Sequence, residues 1–391
     1  MAPLLRQSLA LAAAVLGVWG SAQAKECLAP GTWFATESGA VQPTKADDVL
    51  AQMAQRRIVL LGETHDDADH HAWQLATLGA LQLLRPRMVI GFEAFPRRVQ
   101  PVLDKWIAGD LSERQLLEQT DWEKAWGWPA DLYLPLLRFA RINRIPIRAL
   151  NVDQALIKAI SAIGWQAVPE SQKEGVTRPA APSAPYLDDL FDVYKFHPES
   201  DGPDKGRQSP SFLHFVDSQT TWDRAMAQGL AEAARAPGDA GEALVVGIMG
   251  SGHIRYGRGV AYQLRDLGIE SIGMLLPVAA SRDCAGLAGI ADAVFAVPSL
   301  PASAPPPPRL GVRIEQTKDG VGVVEVVKGG LAETTGLRTG DRIVSIAGTG
   351  IARVSEVIRA VRAQPPGTWL PMRIRRDGQE IDLVVKFPPQ R

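Results

Sequence analysis

Four short segments of this chain carry residues able to move protons or hold a ligand. Gly62-Glu63-Thr64-His65-Asp66-Asp67 leads into His70-His71, and Glu93 stands in Gly91-Phe92-Glu93-Ala94-Phe95. Asp153 follows Asn151-Val152, and Gly250-Ser251-Gly252-His253 is followed by Tyr256. The two glycine–histidine pairs share one spacing, Gly-x-x-His. Glycine permits a tight turn and a close approach of ligand to backbone. Imidazoles beside carboxylates can share acid and base roles near neutral pH or bind a divalent metal. Glu63, His65, Glu93 and His253 are therefore candidate catalytic residues, and His65, Glu93 and His253 candidate metal ligands. Asp66, His70, Asp153 and Tyr256 are candidates for ligand contact. The blander alternative is that these groups cap helices and bind one another; Asp66 and Asp67 in particular suit the first turn of a helix. On a helix running on from His65, His70 shares a face with Asp66, whereas neither His70 nor His71 shares the face of His65. That favours His70 of the two.

Trp122, Trp126, Trp128 and Tyr133 crowd one segment, DWEKAWGWPADLY. Such rings serve packing or recognition. A wall containing Trp128 suits a flat apolar ligand such as a porphyrin, and the phenols of Tyr186, Tyr194 and Tyr256 are possible ligands of ferric haem.

What must position these residues is a set of strands. Apolar runs at 57–62, 88–92, 145–150, 243–249 and 271–277 alternate with amphipathic stretches at 70–84, 111–119, 131–143 and 217–234. Continuous apolar strands between helices predict an α/β domain, a mostly parallel sheet with helices on both faces. In such sheets ligands bind beyond the carboxyl ends of the strands, where all four segments fall. Irregular stretches at 167–185 and 196–211 frame a short helical insert. Residues 298–308, PSLPASAPPPP, predict an extended linker before a piece of about 80 residues.

The chain has 391 residues, with 42 Lys plus Arg against 43 Asp plus Glu. A net charge of -1 lacks the basic excess of a nucleic-acid-binding protein. Residues 1–24 predict an export signal: Arg6, an apolar run from Leu9 to Val18, and Ala22-Gln23-Ala24 as the cleavage pattern. Cys27 is preceded by no lipobox, so a periplasmic protein without a lipid anchor is expected. Cys27 and Cys284 are the two cysteines. In an oxidising compartment they should pair, tying the mature N-terminus to a segment expected just beyond the last strand of the large domain.

Residues 47–280 resemble the ChaN-like haem-binding uptake family, in the superfamily that also holds Tiki, TraB and erythromycin esterase proteins. The segments that carry this are LLGETHDDADHH, GFEAF, WGWPADLYLPLL, ALNVD, SQTTWDRAMA and GSGHIRYGRGV. The resemblance implies haem as ligand, pairing of two copies as a homodimer, and functional positions at Glu63, His65, Glu93 and His253. It also leaves open a hydrolase using the same four residues, with or without a divalent metal. Residues 309–388 resemble a small, β-rich bacterial PDZ domain, with Leu310-Gly311-Val312 as the carboxylate-binding loop and GGLAETTGLRTGDRIVSIAG as the central segment. That implies recognition of a C-terminal peptide, through loop N–H groups and an edge strand.

Overall fold

The computed structural model describes residues 27–36, 39–196, 206–236, 243–280, 284–298 and 308–389. The expected signal segment and all but the ends of the proline-rich stretch lie outside the described residues.

Eight strands form the first sheet: β1 (Trp33–Ala35), β2 (Gln42–Thr44), β3 (Ile58–Glu63), β4 (Met88–Pro96), β5 (Ile147–Asn151), β6 (Leu244–Gly250), β7 (Ile272–Ala279) and β8 (Ala293–Val297). Their order is β2-β1-β8-β7-β3-β6-β4-β5. From β8 to β5 every neighbouring pair is parallel, and β1 and β2 add an antiparallel edge. All six residues of β3 are buried, as a strand covered on both faces requires. Side chains alternate between the faces. Val59 and Leu61 pack with the helices Ala68–Leu84, Gln100–Ala108 and Ala130–Ile142. Ile58 and Leu60 pack against the long helix Pro210–Arg235 and the helix Val260–Asp266.

The strand order matters to the site. β6 inserts between β3 and β4, which sets Glu63 opposite Gly250 and Phe92 opposite Ile248. Three carboxyl ends distant in sequence thus finish side by side. The helical insert, Ala184–Tyr194, packs on the start of the long helix through Tyr186, Leu190, Tyr194, Phe212 and Phe215.

Cys27 and Cys284 form a disulfide with Cα atoms 6.0 Å apart. Cys284 does not follow the last strand, as expected from the sequence; it lies between β7 and β8. The short run Ala293–Val297 is a strand because its residues pair with both β7 and β1.

The second sheet is antiparallel and built from β9 (Val312–Thr317), β10 (Gly320–Val326), β11 (Arg342–Ile346), β12 (Thr349–Gly350), β13 (Trp369–Arg376) and β14 (Gln379–Lys386). The order is β14-β13-β11-β10-β9, with β12 on β11. The helix Val354–Arg362 turns Val357 and Val361 into its core.

Candidate functional site

Glu63, the last residue of β3, continues the face of Val59 and Leu61, so its carboxyl meets the helices Ala68–Leu84 and Ala130–Ile142. Oε1 accepts from the Tyr133 phenol at 2.5 Å and pairs with Nδ1 of His65 at 2.8 Å. Oε2 accepts from the Gln74 amide at 3.0 Å and lies 3.5 Å from Nδ1 of His71. Burial alone would raise the pKa of Glu63, but His65, His71 and Tyr133 outweigh it and hold the group below the usual carboxylate range. Burial and the Glu63 charge together push the Tyr133 phenol far up, so it remains a donor. For His65 burial works downward, yet Glu63 and Glu93 raise its pKa above the ordinary value. With Nδ1 committed to Glu63, Nε2 is the nitrogen that His65 presents. The rings of Trp126 and Trp128 flank it, with centroids 4.8 and 5.6 Å away.

Glu93 lies on the opposite face, in the register of Val89. Its Oε2 accepts from the backbone N–H of Gly250 at 2.7 Å, and its Oε1 lies 3.5 Å from Nε2 of His253. His253 Nδ1 pairs with Oδ1 of Asp223 at 2.7 Å. Oδ2 of the same carboxylate accepts from the Tyr186 phenol at 2.7 Å. Burial would lower the pKa of His253, but Glu93 and Asp223 push it up to about 9. His253 is therefore a cation at neutral pH, held between two carboxylates. Burial and Asp223 also push the Tyr186 phenol well up.

The two halves meet over Gly250. A Cβ there would stand 3.2 Å from Nε2 of His65 and 3.7 Å from Oε2 of Glu93. Glycine leaves a small cradle at that point, bounded by an imidazole and a carboxylate.

The structure thus brings together Glu63, His65, Glu93, His253 and Trp128. It departs from the other expectations. The helix begins only at Ala68, capped by Asp67, whose Oδ1 accepts from the N–H groups of Asp69 and His70. His65 precedes it in a turn, so a helical wheel counted from His65 misplaces both His70 and His71. His71, not His70, reaches the site: its Nε2 lies 3.1 Å from the His65 carbonyl. His70 braces the turn, accepting from the Thr64 N–H at 2.9 Å. The expected pairing of His70 with Asp66 does not form; Asp67 lies 3.5 Å from His70 instead, and Asp66 is exposed. Asp153 is bound to Arg98 at 2.6 Å, past the outer strand β5. Tyr256 donates to the Gly286 carbonyl at 2.6 Å. Tyr194 bonds Ser211 inside the insert.

Among the described residues, no three His, Cys, Asp or Glu side chains are grouped so as to hold a metal ion. The side chains of the expected trio of His65, Glu93 and His253 are turned to protein partners. His253 has a carboxylate at each nitrogen, and Glu93 is occupied by His253 and the Gly250 N–H. The residues that sequence reasoning missed are Gln74, His71 and above all Asp223.

This geometry sits in a chain whose residues 49–264 match the family described as haem-binding uptake, Tiki superfamily, ChaN. The chain belongs to that family. Residues 308–387 match the PDZ domain family, so the second sheet is a PDZ domain. Among solved structures the chain is similar to ChaN of Campylobacter jejuni, described with cofacial haem binding. Identity is 18%, the match covers 68% of this chain and 98% of that one, and the TM-score is 0.52, a likeness of fold. The C-terminal part aligns with the HtrA3 PDZ domain bound to a phage-derived ligand, at 23% identity over 20% of this chain and 82% of that one, TM-score 0.19. It also aligns with a serine endoprotease from Yersinia pestis, at 26% identity over 21% and 29% of the two chains, TM-score 0.19. No curated protein matches the chain.

Proposed function

We propose that the large domain binds haem as cargo for iron uptake in the periplasm, and that the PDZ domain recruits a partner by its C-terminal tail. The observation that carries the first part is His65: a carboxylate-held imidazole in contact with two tryptophan rings, in a domain of a haem-binding family. Ligating imidazoles are commonly oriented by a carboxylate on the other ring nitrogen. His65 would offer Nε2 to the iron, and Trp126 and Trp128 an apolar wall to the macrocycle. The export-signal pattern and the disulfide support a periplasmic location, since disulfides persist in oxidising compartments.

The test is a haemin titration of the mature protein followed at the Soret band. A saturable, stoichiometric shift is expected, weakened at least tenfold in His65→Ala. A rise that never saturates would overturn the haem reading. Wild-type binding by His65→Ala would remove His65 as the iron ligand. Light scattering with and without haemin checks the implied pairing of two copies.

One observation favours a second reading, a hydrolase. Both His65 and His253 have Nδ1 held by a carboxylate, the arrangement that orients an imidazole for proton transfer. Turnover of ester or peptide substrates that disappears in both Glu63→Gln and His65→Ala would establish it.

A further inference from the structure

The amino ends of the strands that carry the site bear a charge that the site does not use. β7, β3, β6 and β4 are consecutive in the first sheet, and the residues just before them meet at its amino end. Arg56 and Arg57 precede β3, Arg85 and Arg87 precede β4, Ala243 precedes β6 and Ser271 precedes β7. Backbone bonds hold this end together. The Leu244 N–H donates to the Arg87 carbonyl at 3.0 Å, and the Arg57 N–H to the Ser271 carbonyl at 3.0 Å. The four arginines line one hollow of about 690 Å³, and among the described residues no acid lines it.

Two of these side chains also cap helices. Arg85 donates to the Ala54 carbonyl at 2.8 Å, at the end of the helix Ala46–Ala54. Arg57 donates to the Ala234 carbonyl, near the end of the long helix. A cation at a helix C-terminus is favourable, so capping accounts for this pair. It does not account for Arg56, whose Nε is buried with no hydrogen-bond partner. A buried charged donor left unmet is costly, and an anion in the hollow would meet it. A guanidinium also keeps its full charge while it caps, and its planar fork matches the oxygens of a phosphate group.

The rim supplies a second observation. Leu83 and Leu84 end the helix Ala68–Leu84, immediately before Arg85, and are 86% and 49% exposed. A single exposed leucine is ordinary. Two in a row beside four arginines combine apolar surface with positive charge, as an interfacial docking patch requires.

We propose that this end of the domain docks on an anionic lipid surface, the hollow taking the phosphate of a headgroup while Leu83 and Leu84 enter the interface. The inference is independent of the haem reading. It places the His65 site at the far end of β3, about 20 Å from the headgroups, on the side turned away from lipid.

Sedimentation of the mature chain with lipid vesicles tests this. Retention is expected on vesicles mixing phosphatidylglycerol with phosphatidylcholine, little on phosphatidylcholine alone, and a decline as salt rises. Arg56→Gln combined with Arg87→Gln should weaken retention about fivefold for each arginine removed. Leu83→Ser should weaken it about tenfold, with an unchanged urea transition because Leu83 is exposed. Absence of retention on the mixed vesicles, or retention that neither variant changes, overturns the proposal. Equal retention on both kinds of vesicle overturns the recognition of charge. Calorimetry with inorganic pyrophosphate separates the other source of phosphate. Saturable binding of pyrophosphate without vesicle retention would make the hollow a site for a free anion and overturn the lipid assignment.

Discussion

The two halves of the site contain the same three groups, built differently. On one face of the sheet Tyr133 donates to Glu63, which holds His65; on the other Tyr186 donates to Asp223, which holds His253. The first pair is local, since Glu63 and His65 are two residues apart on one turn. The second is assembled across the fold, because Asp223 comes from the middle of the long helix. Exposure differs as well: the side chain of His65 is 26% accessible and that of His253 14%. His253 has a second carboxylate on its other nitrogen, whereas Nε2 of His65 faces the Gly250 cradle. One half presents an imidazole and the other anchors the walls around it.

That contrast can be broken first at Asp223, which is fully buried. Asp223→Ala leaves an imidazolium beside Glu93 alone and strands the Tyr186 phenol. A loss of about 3–5 kcal/mol is expected, as for other buried pairs deprived of one partner, measured by urea unfolding at pH 7. Stability equal to wild type would show that the second half anchors nothing.

A pH series sharpens the same point. His253 is raised in the folded state to about 9 from 6.5. Its contribution is therefore complete below about pH 6.5 and is lost as pH rises through about 9. Integrated, it is on the order of 3 kcal/mol. His253→Gln should flatten this alkaline decline. Glu63 has the opposite sign: its pKa is lowered, so its contribution is present above the ordinary carboxylate range and fades on acidification.

The smaller effects separate presenting from anchoring. Tyr133→Phe and Tyr186→Phe should each cost about 1.5–3 kcal/mol, the range for a hydrogen bond to a charged group. His65→Ala should cost about 1 kcal/mol or less in stability, yet carry the largest loss in the haemin titration. A large unfolding penalty at His65 with unchanged haemin binding would reverse the assignment of the halves.

The same contrast explains what was legible in the sequence. Glu63, His65, Glu93 and His253 stand at or just past the ends of apolar runs that announce them, so the local half and the strand-end part of the other are readable. Asp223 is not, because nothing local marks it. It stands on the buried face of an amphipathic helix, and only the folded chain brings it to His253. An acid on that buried face, followed by Ala225, Met226 and Ala227, is the signal that was available. A helix counted from His65 favours His70 over His71, but the helix starts three residues later, at Ala68. β1 and β2 escaped because three-residue strands have no periodicity to read. β8 is apolar, but its pairing with β1 depends on residues at the far end of the chain.

The position of β3 also constrains how the molecule comes into being. It is the earliest of the parallel strands in the chain, yet both its neighbours, β6 and β7, arrive from residue 244 onward. A nascent or exported chain ending near residue 235 would contain β3, β4 and β5 with a gap where β6 belongs. Such a fragment lacks the middle of its own sheet and should remain open and sensitive to protease. Supplied with a second fragment covering 243–298, it should close. Closure of the mixed fragments, read as protease resistance that neither piece shows alone, is the expected outcome.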